Sequence, residues 1–269
     1  MKRFVVLNKK IGETPLATVQ EWKAQNPAYA AVPASYAGRL DPMASGKLLI
    51  LLGDECKQQG VYTRLDKEYV IEVVLDLGSD TGDVLGIPEY AEREIHPKKE
   101  KLAAVLRREL GAHQRAYPVF SSKTVNGKPL FLHALEGTLS LIQVPEHIER
   151  IYHIRNDIPL TISSAELEIK IAELLDRAPR TDEPSKRLGE DFRIDTIRAH
   201  WESIFRNMPE RNFTVLRLKV TCASGTYMRS LAGRIGEALN TKALALSITR
   251  TKIGTYIPIF KTGCWLKTY

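Results

Sequence analysis

Residues 48–52 read Leu-Leu-Ile-Leu-Leu, an apolar run with no polar position, closed by Gly53. Its length is that of a strand, and a strand without a polar face belongs in the interior of a sheet. Directly ahead stands Tyr36-Ala37-Gly38-Arg39-Leu40-Asp41-Pro42-Met43-Ala44-Ser45-Gly46-Lys47. Pro42 fixes its own φ and pushes Asp41 towards an extended conformation, while Gly38 and Gly46 permit tight turns on either side. The expected product is a carboxylate on a stiff loop at the mouth of a rigid sheet. Catalytic groups are often held this way, although an isolated Asp-Pro pair usually does no more than start a turn.

Around this centre the chain alternates between strand and helix signals. Residues 3–7 predict a short strand. Thr14 suits an N-cap and Pro15 the first position of a helix, with Leu16, Val19 and Trp22 on one face before Asn26-Pro27. From Tyr69 the pattern alternates, placing Tyr69, Ile71, Val73, Leu75 and Leu77 on one face of a strand. Asp76, Asp80 and Asp83 follow closely, but their spacing is wrong for a calcium loop, so a polar turn is expected there. Residues 97–110 predict a helix closed by Gly111. Ser163 with Glu166 forms a capping box for a helix over 163–178, and a second apolar stripe runs through Ile197, Trp201, Ile204, Phe205 and Met208. With the polar link 178–189 these two make an expected helical hairpin inserted in the domain. Strand 214–222 turns Leu216, Leu218, Val220 and Cys222 inward and leads into a helix reaching Asn240. Arg229 falls in the first turn of that helix, where the macrodipole disfavours a cation, so its charge is either incidental or held by an anion.

A chain of 269 residues, 43% hydrophobic and 26% charged, is an ordinary globular protein of one large or two modest domains. No apolar stretch approaches a membrane span, and the run at residues 4–7 is too short for a signal-peptide core, so a cytoplasmic protein without membrane partners is expected. Cys56, Cys222 and Cys264 fit neither a disulfide framework nor a zinc site. A net charge of +7 permits a polyanionic partner. The segment from Gln114 to Lys128, with Tyr117, Phe120, Ser121, Ser122 and Lys123, mixes aromatic, basic and hydroxyl groups as a single-stranded nucleic acid surface does.

Taken together, these stretches resemble the TruB-type tRNA pseudouridine synthases, which isomerise a uridine in the TΨC arm. The stretch around Asp41 is similar to that family's Gly-x-Leu-Asp-Pro-x-Ala-[Ser/Thr]-Gly motif. Asn8-Lys9 with Gly12 and Thr14 resembles its N-terminal motif, and Lys67-Glu68-Tyr69 the strand bearing its stacking tyrosine. Gln114 to Gly127 matches a further motif with a one-residue offset around the proline. Cys222 to Leu231 resembles its Cys-Ser-x-Gly-Thr-Tyr-[Ile/Met]-Arg segment, and Arg250-Thr251-Lys252-Ile253-Gly254 its late Arg-Thr-Arg-x-Gly element. The motifs run in order from Asn8 to Tyr256, and the hairpin lies outside them.

The resemblance implies an α+β fold over 1–269: a mixed, mostly antiparallel sheet flanked by helices, in a single catalytic domain with residues 160–208 inserted and no PUA domain. It implies that Asp41 is the catalytic carboxylate, Arg229 its counter-ion and Tyr69 the residue that stacks on a flipped base. Lys9, Tyr227 and Ile248 would line or support the pocket. Tyr36 stands where the family usually has His, and Arg39 gives a Gly-Arg-Leu-Asp sequence closer to other pseudouridine synthases, so both bear on substrate choice. Lys57, Lys123, Lys128, Arg250 and Lys252 would cradle phosphates. Neither cofactor nor metal is expected, because the isomerisation neither gains nor loses atoms. The implied partner is the tRNA TΨC stem-loop, bound by a monomer, with an added contact through 160–208. Rival readings are a synthase acting on ribosomal RNA, a non-catalytic tRNA-binding or tRNA-folding protein on the same fold, and a cysteine hydrolase built on Cys222 with His113 or His133.

Overall fold

The computed structural model describes residues 2–179, 193–259 and 262–269. The chain opens with β1 (Phe4–Lys9), which crosses into α1 (Pro15–Gln25) through an N-cap in which the Thr14 hydroxyl accepts from Ala17 N. β2 (Ala34–Tyr36) and β3 (Ala44–Leu52) flank the Asp41 loop. A short α2 (Gln59–Thr63) leads to the long β4 (Asp66–Leu75) and the small hairpin of β5 (Leu77–Ser79) and β6 (Pro88–Tyr90). α3 (Lys99–Arg108), β7 (Gly111–Ala116), β8 (Thr124–Val125), β9 (Lys128–Pro129) and α4 (Leu130–Leu135) follow. The second half comprises β10 (Glu146–Asn156), β11 (Leu160–Ser163), α5 (Ser164–Asp176), α6 (Ile194–Asn207), β12 (Asn212–Cys222), α7 (Met228–Leu239), β13 (Ala243–Ile259) and β14 (Thr262–Thr268).

One large sheet organises these elements in the order β1-β3-β13-β4-β12-β10-β7, with β2 beside β3, β11 beside β12 and β14 beside β13. Its pairings are antiparallel except for β13 on β3, where Ile248 to Arg250 run parallel to Ala44 to Gly46. The architecture is the mixed, mostly antiparallel α+β sheet flanked by helices that the family resemblance implies. The run 48–52 is buried on both faces: Leu48, Ile50 and Leu52 pack towards Val19 of α1, and Leu49 and Leu51 pack against Ala37 and Ile253.

Both faces of the sheet centre are covered. On one, Ile71, Val73 and Leu75 of β4 and Leu216, Leu218 and Val220 of β12 meet Leu102, Val105 and Leu106 of α3 and Leu231, Ile235 and Leu239 of α7. On the other, Val74, Phe213, Val215 and Leu244 meet Leu167, Ile171, Leu174 and Leu175 of α5 and Ile197 and Trp201 of α6. Burying a side chain of this size stabilises by about 1.5–3 kcal/mol.

Residues 160–208, expected as a helical hairpin inserted in the domain, also supply a strand, and two further expectations need correction. β11 joins the main sheet by pairing Leu160 to Ser163 with β12, and α5 and α6 form the layer over its second face. The capping box at Ser163 and Glu166 is present; most of the link expected over 178–189 lies outside the described residues. Leu77 does not continue the β4 face, because Asp76 takes φ +68° and ends the strand, so Leu77 packs into the opposite cluster. Asp76 holds that kink through an ion pair with the buried Arg211 at 3.2 Å and by accepting from Thr241 Oγ1 at 2.5 Å. Leu16 lies outside the packing face of α1, which buries Thr18 and Val19.

Candidate active site

Two buried cations hold the Asp41 loop at its ends. Lys9, fully buried on β1, donates from Nζ to the carbonyls of Lys10 (2.9 Å), Glu13 (2.8 Å) and Pro42 (3.2 Å). Gly12 N donates to the same Pro42 carbonyl at 2.9 Å. Burial pulls the Lys9 ammonium down to about 8, against the opposing charges of Glu13 and Asp41. Arg250, 1% exposed on β13, donates from Nε to Lys47 O at 2.7 Å, and from its two terminal nitrogens to Arg39 O (3.2 Å) and Gly38 O (3.3 Å). Gly46 allows this approach. It sits at φ +100°, and a Cβ there would lie 2.3 Å from the Arg250 carbonyl. A hydrogen bond from a charged donor contributes roughly 1.5–3 kcal/mol, and three of these six end on the loop itself, at Gly38, Arg39 and Pro42.

Arg229 projects from the first turn of α7 into the centre of the site. Its Nε donates to Asp41 Oδ2 at 2.7 Å and lies 3.6 Å from Asp83 Oδ2. The two terminal nitrogens donate to the carbonyls of Thr81 (2.6 Å) and Phe120 (2.9 Å). Burial by itself would lower the Arg229 pKa, but Asp41 and Asp83 outweigh it and raise the value, so the guanidinium stays charged. The cation that the helix dipole disfavours is thus held by two carboxylates. These two acids differ. Asp83 has only 7% of its side chain exposed and accepts from Thr81 Oγ1 (2.8 Å) and Leu85 N (3.0 Å). Burial pushes its carboxyl up while Arg229 opposes. Asp41 keeps 42% of its side chain exposed and is the acid an incoming molecule can reach.

The walls are largely aromatic. Tyr69 on β4 packs against the core, and burial pushes its phenol up while Arg250 opposes. Ile248 on β13 lies in register with Ile71 of β4 and Ala44 of β3, and is buried. Tyr227 caps the start of α7, and burial together with the Asp41 charge raises its phenol. Its ring meets Tyr117 and His147 edge to face. Tyr36 lies under the Arg39 guanidinium at 5.9 Å, and its carbonyl accepts from Gln59 Nε2 at 3.0 Å.

The structure brings Asp41 and Arg229 into direct contact, and the Asp41 charge reaches Tyr69 and Tyr227. Lys9 is fully buried and Arg250 donates to backbone carbonyls, so in this structure both hold the loop from behind. Lys57, Lys128 and Lys252 are engaged with Asp54, Glu136 and Glu68, and Lys123 stands over the Tyr117 ring at 5.1 Å. The sequence reading missed Asp83, which it left in a polar turn. The usable signal was Gly82 before it, at φ +78°, where a Cβ would lie 3.0 Å from the Arg229 carbonyl. The cysteine-hydrolase reading fails: Cys222 is buried, burial pushes its thiol up to about 12, and His113 and His133 bond locally to Leu110 O and to Thr138 and Val125 O.

Among the described residues no cluster of three or more His, Cys, Asp or Glu is arranged to hold a metal ion, and no helix is long and apolar enough to cross a membrane. The arrangement presents an accessible carboxylate held against a permanently charged, buried guanidinium. Such a group can act as a nucleophile or general base.

The chain is similar in sequence to several known proteins. The tRNA pseudouridine synthase B of Borreliella burgdorferi (strain ZS7) is 26% identical over 253 residues, covering 94% of this chain and 70% of that protein. The synthase of the same name from Hydrogenovibrio crunogenus is 28% identical, covering 93% of this chain and 64% of that protein; the one from Azoarcus sp. (strain BH72) is 29% identical, covering 84% and 57%. In fold, the chain is similar to one in the crystal structure of a Cbf5-Nop10-Gar1 complex, with TM-score 0.53 and 17% identity, covering 93% of this chain and 48% of that one. The family described as TruB family pseudouridylate synthase (N terminal domain) matches residues 28–173, more than half of the chain, and the protein therefore belongs to the TruB family.

Proposed function

We propose that the protein isomerises a uridine of tRNA, in the TΨC arm, to pseudouridine, with Asp41 as the catalytic carboxylate. The observation that carries this reading is the 2.7 Å contact between the accessible Asp41 and the buried Arg229, inside a chain of the TruB family. Pseudouridine formation breaks the bond from C1′ to N1 of uracil and rejoins the sugar through C5, so the base must stay in the pocket while the bond is open. Asp41, paired with Arg229 at 2.7 Å, acts as nucleophile or base during that interval. The uridine has to leave its stack, which costs a few kcal/mol. Stacking on Tyr69 returns about 1–3 kcal/mol, and Ile248 supplies apolar contact. Tyr227 lines the pocket, and Tyr36 with Arg39 stands at its mouth, where the choice of uridine is made. In this reading the protein acts as a monomer in the cytoplasm.

The test uses a tRNA transcript carrying tritium at C5 of uridine, because C5 loses its hydrogen in the rearrangement. Asp41→Asn is nearly isosteric and keeps the loop; it is expected to abolish tritium release while RNA affinity stays within about threefold, a change under 1 kcal/mol. Turnover by Asp41→Asn at the wild-type rate would refute the assignment.

A further inference from the structure

We infer that His147 is a positioning residue for this reaction: wedged between Tyr117 and the turn 225–227, it sets the angle at which Tyr227 faces Asp41. The inference rests on the reading of Tyr227 as a wall of the catalytic pocket. His147 lies near the start of β10, with 11% of its side chain exposed. Its ring stacks on Tyr117 at 4.0 Å and 21°, and both rings present themselves edge-on to Tyr227, His147 at 5.9 Å and 83°, Tyr117 at 6.2 Å and 81°. Edge-to-face pairs of this kind prefer a defined angle, so two of them together fix the plane of the third ring.

The backbone of the same turn is gripped from the same strand. His147 Nε2 is 3.0 Å from Gly225 O, and since a carbonyl only accepts, Nε2 carries the proton and donates. Gly225 has φ +91°, and a Cβ added there would meet His147 Cδ2 at 3.6 Å, so a side chain at this position would touch the ring. Two residues on, the buried Glu149 accepts from Tyr227 N at 3.1 Å and is itself anchored by Arg234 at 3.2 Å. Tyr227 is therefore held at its amide by Glu149 and at its ring by His147. Tyr227 immediately precedes α7, the helix that carries Arg229, so the grip extends to the counter-ion of Asp41.

The other ring nitrogen of His147, Nδ1, is buried without a hydrogen-bond partner. A lone core filler would be better served by an apolar ring, because a buried unpaired polar atom is unfavourable. What the imidazole adds over phenylalanine is the bond from Nε2 to Gly225 O. Charged groups near it include Glu149, 3.5 Å from Nε2, Arg115 directly opposite on β7, and Lys123 over the Tyr117 ring.

The experiment compares kcat and KM on a tRNA transcript for His147→Ala, His147→Phe, Tyr227→Ala and the double variant His147→Ala/Tyr227→Ala, with thermal melting as the check on folding. A misplaced wall lowers kcat by roughly 10- to 100-fold in His147→Ala, with KM within about twofold. His147→Phe keeps the stack and loses the bond, so it falls between the two. In the Tyr227→Ala background, adding His147→Ala costs less than about twofold, because the residue it positions is gone. An equal loss in both backgrounds, a raised KM with unchanged kcat, or no loss in His147→Ala beside a clear loss in Tyr227→Ala overturns the proposal alone. Full turnover in Tyr227→Ala overturns it together with the reading of Tyr227. If His147→Ala does not fold, His147→Phe in the two backgrounds carries the same comparison.

Discussion

Replacing Arg229 by Gln removes the cation from between two carboxylates that differ in exposure, and the consequences follow from that difference. Asp41, with 42% of its side chain exposed, regains water and contributes little to the loss. Asp83, with 7% exposed, is left as a buried charge without its counter-ion, a change worth about 3–5 kcal/mol. The carbonyls of Thr81 and Phe120 lose charged donors as well. Against a total of about 5–15 kcal/mol for a domain, the variant folds but is marginal. Burial already pushes the Asp83 carboxyl up in the wild type, with Arg229 opposing, so loss of Arg229 drives it higher. A carboxyl whose folded pKa lies above its unfolded value of about 3.9 contributes stability that is complete below that value and lost as pH rises through the folded one. The deficit of Arg229→Gln relative to wild type is therefore largest at pH 7 and shrinks as pH falls towards 4.5. Urea unfolding measures it through Trp201, which is buried and donates from Nε1 to the carbonyl of Val84, the neighbour of Asp83. Asp83→Asn, added to Arg229→Gln, restores most of the loss without restoring catalysis. A deficit constant across the pH range, or no recovery in the double variant, would refute the account of Asp83 as a buried charge held by Arg229.

Lys9 gives an effect at the alkaline end. Its folded pKa of about 8 lies below its ordinary 10.5, so between these values unfolding takes up a proton and stability rises with pH. Lys9→Met removes that contribution, about 1.4 kcal/mol per pH unit, which denaturant melts at pH 8, 9 and 10 detect as a shallower slope. Deleting residues 160–208 strips α5 and α6 from the second face of the sheet and exposes Phe213, Val215 and Leu244. The expected product is unfolded or aggregated by circular dichroism and gel filtration, and a cooperatively folded deletion would show that the layer is dispensable.

The elements that sequence reading found are those whose signal is local. The run 48–52, the Thr14 cap, the capping box at Ser163 and the alternating face of β12 each depend on neighbours in the chain. Where it went wrong, the deciding partner is remote. Leu77 changes face because Asp76 is drawn to Arg211, 135 positions along the chain. Asp83 looks like a turn acid until Arg229 arrives from α7, and the carbonyls that Arg250 meets lie 203 to 212 positions earlier. The apolar stripes of α5 and α6 gave the helices correctly but could not show that the sheet is what they cover. In the site itself, a cation in the first turn of a helix hinted at an anion beside Arg229, and it was the family resemblance that named Asp41.

The reach of those contacts also sets when the molecule becomes competent. Arg229 lies 188 positions beyond Asp41, and Arg250 lies 211 and 212 beyond the carbonyls it holds. At about 5–20 residues per second, Asp41 emerges from a ribosome some 10–40 s before its counter-ion exists. Pairings so distant in the chain are also slow to close. A partly made chain therefore carries Asp41 with neither its charge partner nor the side chain that holds Gly38 and Arg39, and this part of the molecule takes shape only when α7 and β13 are in place.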